Sequence, residues 1–248
     1  MTLWRLEWLR LVRTHRWMVV LGVYLVFGIV GPLSAAYLQE IIGRVGGELT
    51  IIAPDPTPAD GIAQFIGNAS QLGVLAVIVI GVAALAVDAR PELAAFLRTR
   101  VPRARTLLLP RYVVTLGLAA TGLVLGTAVA WGFTASLIGR LPTTAMLVGT
   151  AYGILYLAFA VAVLAAVSGF TRSQPAAVFA TLAVLLGLPV LGLVPALQPW
   201  LPSELLSAVA AMVGGVPARE FTRAAVVAVV GTAALLALAT RRFGRREL

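Results

Sequence analysis

A chain of 248 residues that is 60% hydrophobic and only 12% charged is too apolar for a soluble domain, which carries about a quarter charged residues and under half apolar ones. Lipid must solvate most of its surface. The formal net charge of +9 comes without a single Lys, all 19 basic residues being Arg; in a membrane protein this excess reflects Arg held on the cytoplasmic side, not a nucleic-acid partner. With no Cys and one His, His15, disulfides and thiolate metal sites are excluded, and any imidazole chemistry would rest on one residue.

Residues 1–16 read as an interfacial helix. At 100° per residue, Trp4, Trp8 and Leu11 share one side, and Arg5, Arg10, Arg13 and Arg16 share the other. Trp at headgroup depth and Arg toward anionic lipid suit a helix lying in the membrane plane. His15 reads as an interfacial polar residue.

A spanning helix needs about 20 apolar residues, the hydrocarbon core being about 30 Å thick and the rise about 1.5 Å per residue. Charge-free runs of that order are Trp17–Gln39, Gly61–Val87, Tyr112–Gly139, Leu141–Thr171, Ser173–Ser203 and Ala224–Thr240, the last extending outward through Phe221. The first is longer than the roughly 7–15 apolar residues of a signal peptide, so it reads as a retained helix. The sequence thus predicts one all-α membrane domain over residues 1–248 with six transmembrane helices.

Between the first two runs, residues 40–61 form an outer loop in which Pro54, Pro56 and Pro58 favour extended backbone. At the outer end of the second run, Gln64, Asn68 and Gln71 fall on one helical face. They line a pathway, bond a neighbouring helix, or sit in the wet headgroup zone. The loop 88–111 reads as a short amphipathic helix held against the membrane. Pro91 suits a helix first turn, Glu92 favours the positive end of the dipole, and Pro102 ends the helix. Leu93, Phe96 and Leu97 make one apolar face with Arg98 and Arg100 beyond, a knob suited either to lipid or to a groove on a soluble partner. Gly122–Gly126 and Gly149–Gly153 have the spacing that allows close helix packing. Pro32, Pro189 and Pro195 are expected to kink or end their helices. In the segment 198–220, Ser203 is placed to cap a helix running to about Val213, where Gly214-Gly215 stops it. That helix is too short to cross the bilayer and should dip in from outside or lie on the surface.

Six spans put both termini on one side. With the amino terminus inside, 15 Arg lie inside and only four, Arg44, Arg140, Arg219 and Arg223, lie outside. The bias places both ends in the cytoplasm.

No span carries an Asp, Glu, Lys, Arg or His in its central part. Ion-coupled carriers keep such groups at membrane depth, and intramembrane proteases need a dyad or metal ligands. No phosphate-binding G-x-x-x-x-G-K-[ST] loop is present, so the chain has no ATPase motif of its own. Movement of a cargo would draw energy from another subunit. A membrane scaffold or sensor that transports nothing is the alternative, and an intramembrane enzyme the third.

Across its whole length the chain resembles the permease subunit of ATP-binding-cassette transporters of the second type, mostly bacterial exporters. The resemblance lies in the amphipathic helix through Arg16, six spans with termini inside, the loop between the second and third spans, and the short outer helix before the last. In the loop, Glu92, then Pro102 and Arg103, then Leu107, Leu108, Leu109 and Arg111 occupy the places of the family pattern, while Ala95-Phe96 stands where a Gly-Thr pair often follows the acid. The resemblance implies that Glu92, Leu93, Phe96, Leu97, Arg98, Arg100, Pro102 and Arg103 couple to an ATPase. It implies two permease subunits, identical or sister, two ATPase subunits holding ATP and Mg, and residence in the bacterial plasma membrane. A charge-free wall favours a lipid, drug or hydrophobic natural product as cargo, with Gln64, Asn68, Trp131, Tyr152 and Tyr156 as candidate lining.

Overall fold

The computed structural model describes residues 3–38, 40, 55–86, 104–171 and 173–245, and among these there is no strand. Helix α1 is Leu3–Arg13 and α2 is Arg16–Ala36. Helix α3 runs Pro58–Leu85 and contains a π-helical segment, Ala69–Gly73. Helices α4 (Ala104–Leu137), α5 (Thr143–Ser168) and α6 (Gln174–Leu191) follow. The short α7 is Glu204–Val213 and α8 is Thr222–Arg245. Six of these helices, α2 to α6 and α8, are long and apolar enough to cross a membrane. The protein has the build of a multi-pass membrane protein.

Local chemistry sets the boundaries. Thr57-Pro58-Ala59-Asp60 starts α3 with a capping box: the Thr57 backbone N–H donates to Asp60 Oδ2 at 2.8 Å, and Pro58 takes the first turn, where its missing N–H costs nothing. Ser173 caps α6, its Oγ accepting from the Ala176 N–H at 3.4 Å. Ser203 occupies the cap position of α7 but its hydroxyl makes no cap bond; it is buried without a partner among the described residues. Between α1 and α2, His15 adopts a left-handed conformation, φ 53°. His tolerates that region better than most side chains, and the reversal lets α1 fold back against α3 and α4.

Helix α5 is the centre of the bundle. Two-thirds of its apolar window (67%) is buried, against 17% for α6 and for α8. Around it sit α3, α4, α6, α7 and α8, while α2 packs on α3 and α4. Apolar side chains gain little from leaving lipid for another helix, so close backbone approach carries the packing. A Cβ on Gly28 of α2 would lie 2.6 Å from the Gly126 carbonyl oxygen of α4, and one on Gly31 would lie 2.6 Å from the Phe65 nitrogen of α3. Gly149 brings α5 equally close to Val209 of α7, and Gly153 brings it against Leu123 of α4. Both Gly-x-x-x-Gly spacings therefore lie in helix contacts.

The two peripheral helices keep apolar faces open. Phe179, Leu186 and Val190 on α6, and Val226, Val229 and Val230 on α8, are more than half exposed.

Candidate functional site

Two features stand out, at opposite ends of the bundle. The first is a cleft of about 680 Å³ at the α7 end. Its walls come from the first two-thirds of α3, the second half of α6, the start of α7 and Tyr156 of α5. The lining is mostly apolar, Leu182 and Leu186 among it, with Ser70, Gln71, Ser203 and Ser207 as polar points. Ser70 and Ser207 spend their hydroxyl protons on backbone carbonyls one turn back, Gly67 at 2.7 Å and Glu204 at 2.8 Å. Ser203 Oγ has no partner among the described residues. A pocket of several hundred Å³ with apolar walls and a few polar groups is the form of a small-molecule site.

The π-helical segment shapes one wall. Ser70, Gln71 and Leu72 belong both to it and to the cleft. Behind it lies the Tyr24 ring of α2. A Cβ on Gly73 would be 2.8 Å from Tyr24 Cζ, and one on Gly122 would be 2.8 Å from Tyr24 Cδ2. The ring is wedged between α3 and α4, and the widened turn accommodates it. Single π turns within α-helices are frequent at functional sites.

The second feature is a polar knot at the α1 end. Arg111 Nε donates to Glu7 Oε1 at 2.9 Å, with the side chains 5% and 10% exposed. Arg111 Nη1 also donates to the Ala84 carbonyl at 3.2 Å. Arg10 donates from Nη2 to the Ala83 carbonyl and lies 3.6 Å from Glu7. Ala83 and Ala84 are in the last turn of α3, whose carbonyls lack helical partners. Two guanidinium groups thus satisfy them at the negative end of the helix dipole. The knot ties α1 to the end of α3 and the start of α4.

The sequence-derived lining residues do not share one wall. Only Tyr156 faces the cleft. Gln64 and Asn68 lie outside it, Asn68 Nδ2 donating to the Gln64 carbonyl at 2.9 Å. Tyr152 is tied to the segment before α8: its hydroxyl donates to the Ala218 carbonyl at 3.1 Å and its ring sits 5.8 Å from that of Phe221. Trp131 borders a separate groove of about 260 Å³ between α4 and α5, with Met146 and Thr150. Glu92, Leu93, Phe96, Leu97, Arg98, Arg100, Pro102 and Arg103 lie outside the described residues. The end of that loop, from Ala104, is already helix and continuous with the third span.

On α1, Trp4 and Trp8 are exposed, and so are Arg5 and Arg13, while Leu11, on the Trp side of the pattern, is half-buried. Arg10 departs from its side and turns inward with Glu7. Sequence reading passed over Glu7, although it is the only acid before Glu40 in an otherwise basic stretch; that isolation is the signal that could have found the knot.

No protein-family model matches the sequence, and no curated protein matches it either.

Proposed function

We propose that the chain is the permease subunit of an ATP-driven exporter of the second ATP-binding-cassette type. The observation that carries this reading is the pairing of six long apolar helices with two short ones, α1 and α7, at opposite ends. Helix α1 is fastened by Glu7 and Arg111 to the two helices that flank residues 87–103, the segment assigned to an ATPase contact.

On this reading α1 lies in the cytoplasmic interface of a bacterial plasma membrane, both termini are cytoplasmic, and α7 dips into the outer leaflet. Two partner ATPases hold ATP and Mg. A second permease subunit, identical or sister, covers part of the apolar surface of α6 and its neighbours. The cleft receives the cargo, a lipid, drug or hydrophobic natural product, because its walls are apolar and its volume suits a molecule of that size.

Gentle purification from the native membrane, followed by mass spectrometry, should recover an ATPase with a phosphate-binding loop. Phe96→Asp with Leu97→Asp should release it, while the chain itself stays folded and monodisperse. A chain recovered alone, or with partners lacking nucleotide sites, would replace the permease reading with that of a membrane scaffold or sensor.

A further inference from the structure

A narrow crevice separates α1 from α3 and α4 beside the Glu7–Arg111 knot. Its shaft is mostly apolar: Leu11 from α1, Val77 and Ile80 from α3, and Val114 and Leu118 from α4, with Thr115 among them. Its mouth is basic. Arg10, Arg16 and Arg111 line it with one acid, Glu7. Glu7 is committed to Arg111 and Arg10, so the mouth keeps a net positive charge. Arg16, half-buried at the first position of α2, has no ion pair or hydrogen bond among the described residues. Thr14 beside it has its hydroxyl on the Arg10 carbonyl at 2.8 Å.

We propose that this crevice binds one anionic phospholipid, with its headgroup phosphate at Arg16 and an acyl chain along the shaft. A soluble anion would use the charge but leave the shaft unexplained. A neutral apolar ligand would use the shaft but leave a guanidinium without a partner in a poorly solvated place, which is costly. A phospholipid satisfies both, and basic pockets between membrane helices recognise such headgroups. The surroundings are membrane surface: Trp4 and Trp8 on α1, Met18 on α2 and Val113 on α4 are all exposed. Bound there, the lipid would cement α1 to the bundle. The inference needs only that the helices span a bilayer and does not rest on the permease reading.

The test uses the full chain in detergent, incubated with phosphatidylglycerol or with phosphatidylcholine of the same acyl chains, and native mass spectrometry. Phosphatidylglycerol should be retained at least several-fold more. Arg16→Gln should lower that retention about five-fold, the effect of one basic residue near an anionic lipid surface. Arg13→Gln, on the exposed side of α1 and away from the crevice, should not. Ile80→Trp, which fills the shaft without touching a charge, should lower it as well and serves as the independent variant if Arg16→Gln does not fold. Millimolar inorganic phosphate should displace nothing. Equal retention of the two lipids, equal losses in Arg13→Gln and Arg16→Gln, full retention in a folded Ile80→Trp, or displacement by phosphate alone would each overturn the proposal.

Discussion

The Glu7–Arg111 pair offers the sharpest test of how the bundle is held at its α1 end. At 2.9 Å, and with an effective dielectric of about 20, the direct attraction is about 6 kcal/mol. Desolvation of both groups takes back much of that, so the pair adds little over a well-packed apolar substitute. Removing one partner is different, because the other stays buried and charged. Breaking a buried pair in this way costs about 3–5 kcal/mol. Glu7→Leu should fall at the low end, about 3 kcal/mol, since Arg111 keeps the Ala84 carbonyl. Arg111→Met should cost less, about 2 kcal/mol, because Glu7 retains Arg10. Glu7→Leu combined with Arg111→Met should recover most of the loss. The cycle therefore predicts a coupling of about 2 kcal/mol or more. The assay is equilibrium unfolding in one fixed detergent, with hydrogen exchange of α1 as a local readout. The coupling should barely respond to salt, since the groups are shielded from solvent. Additivity within about 0.5 kcal/mol would refute the argument, because it would mean that the two side chains do not meet in the folded protein.

Three further outcomes follow from the packing and the cleft. Gly28→Val should destabilise by about 1–3 kcal/mol, since its Cβ would meet a backbone oxygen at 2.6 Å; Gly22→Ala, with nothing within 4 Å, should be neutral or stabilising by up to about 1 kcal/mol through helix propensity, and thermal unfolding separates the two. On the permease reading, Leu186→Trp should crowd the cleft and lower cargo-stimulated ATP turnover of the complex with its ATPase several-fold; unchanged turnover would remove the cleft from the cargo path. Because the chain contains no Cys, single replacements report topology cleanly: Asp55→Cys should react with a membrane-impermeant maleimide in intact cells and Arg98→Cys only after permeabilisation, and the reverse pattern would invert the orientation.

The spans were legible because lipid imposes one simple requirement, an apolar run of sufficient length. Their ends were less so. A rule that stops at charges placed the start of the third span at Tyr112, but α4 begins at Ala104 and passes through Arg105, Pro110 and Arg111. The helix continues through Arg111 because that guanidinium is paired inside the bundle with Glu7 and the Ala84 carbonyl. The fifth charge-free run, Ser173–Ser203, holds a spanning helix only to Leu191, with Pro189 inside its last turn; Gly192 and Pro195 then lie in turns. Ser203 has the residue type of a cap without the cap bond, because its backbone is already helical, φ −58° and ψ −31°, where a capping residue is extended. The cleft gathers residues from four helices, and the knot joins positions 104 residues apart. Neither has a local signature. The π segment packs against the Tyr24 ring of another helix, a contact that Ala69–Gly73 alone does not reveal.

Among the described residues, α3 is the helix that borders both features. Its first two-thirds line the cleft, and Val77, Ile80 and Ala84 line the crevice at the other end. Its first turn is fixed by Thr57 and Asp60, and its last carbonyls are held by Arg10 and Arg111. A helix restrained at both ends can accommodate a push only in between. The segment Ala69–Gly73 is the natural place, because π hydrogen bonding is a departure from the α pattern on either side and a change of one residue in register is possible there. Helix α5, two-thirds buried, supplies the fixed wall opposite. On the permease reading, force applied to residues 87–103 enters α3 through the carbonyls that Arg10 and Arg111 grip and emerges at Ser70 and Gln71. Cargo binding and the nucleotide cycle would then be coupled along a single helix, with the Tyr24 ring packed against its π segment.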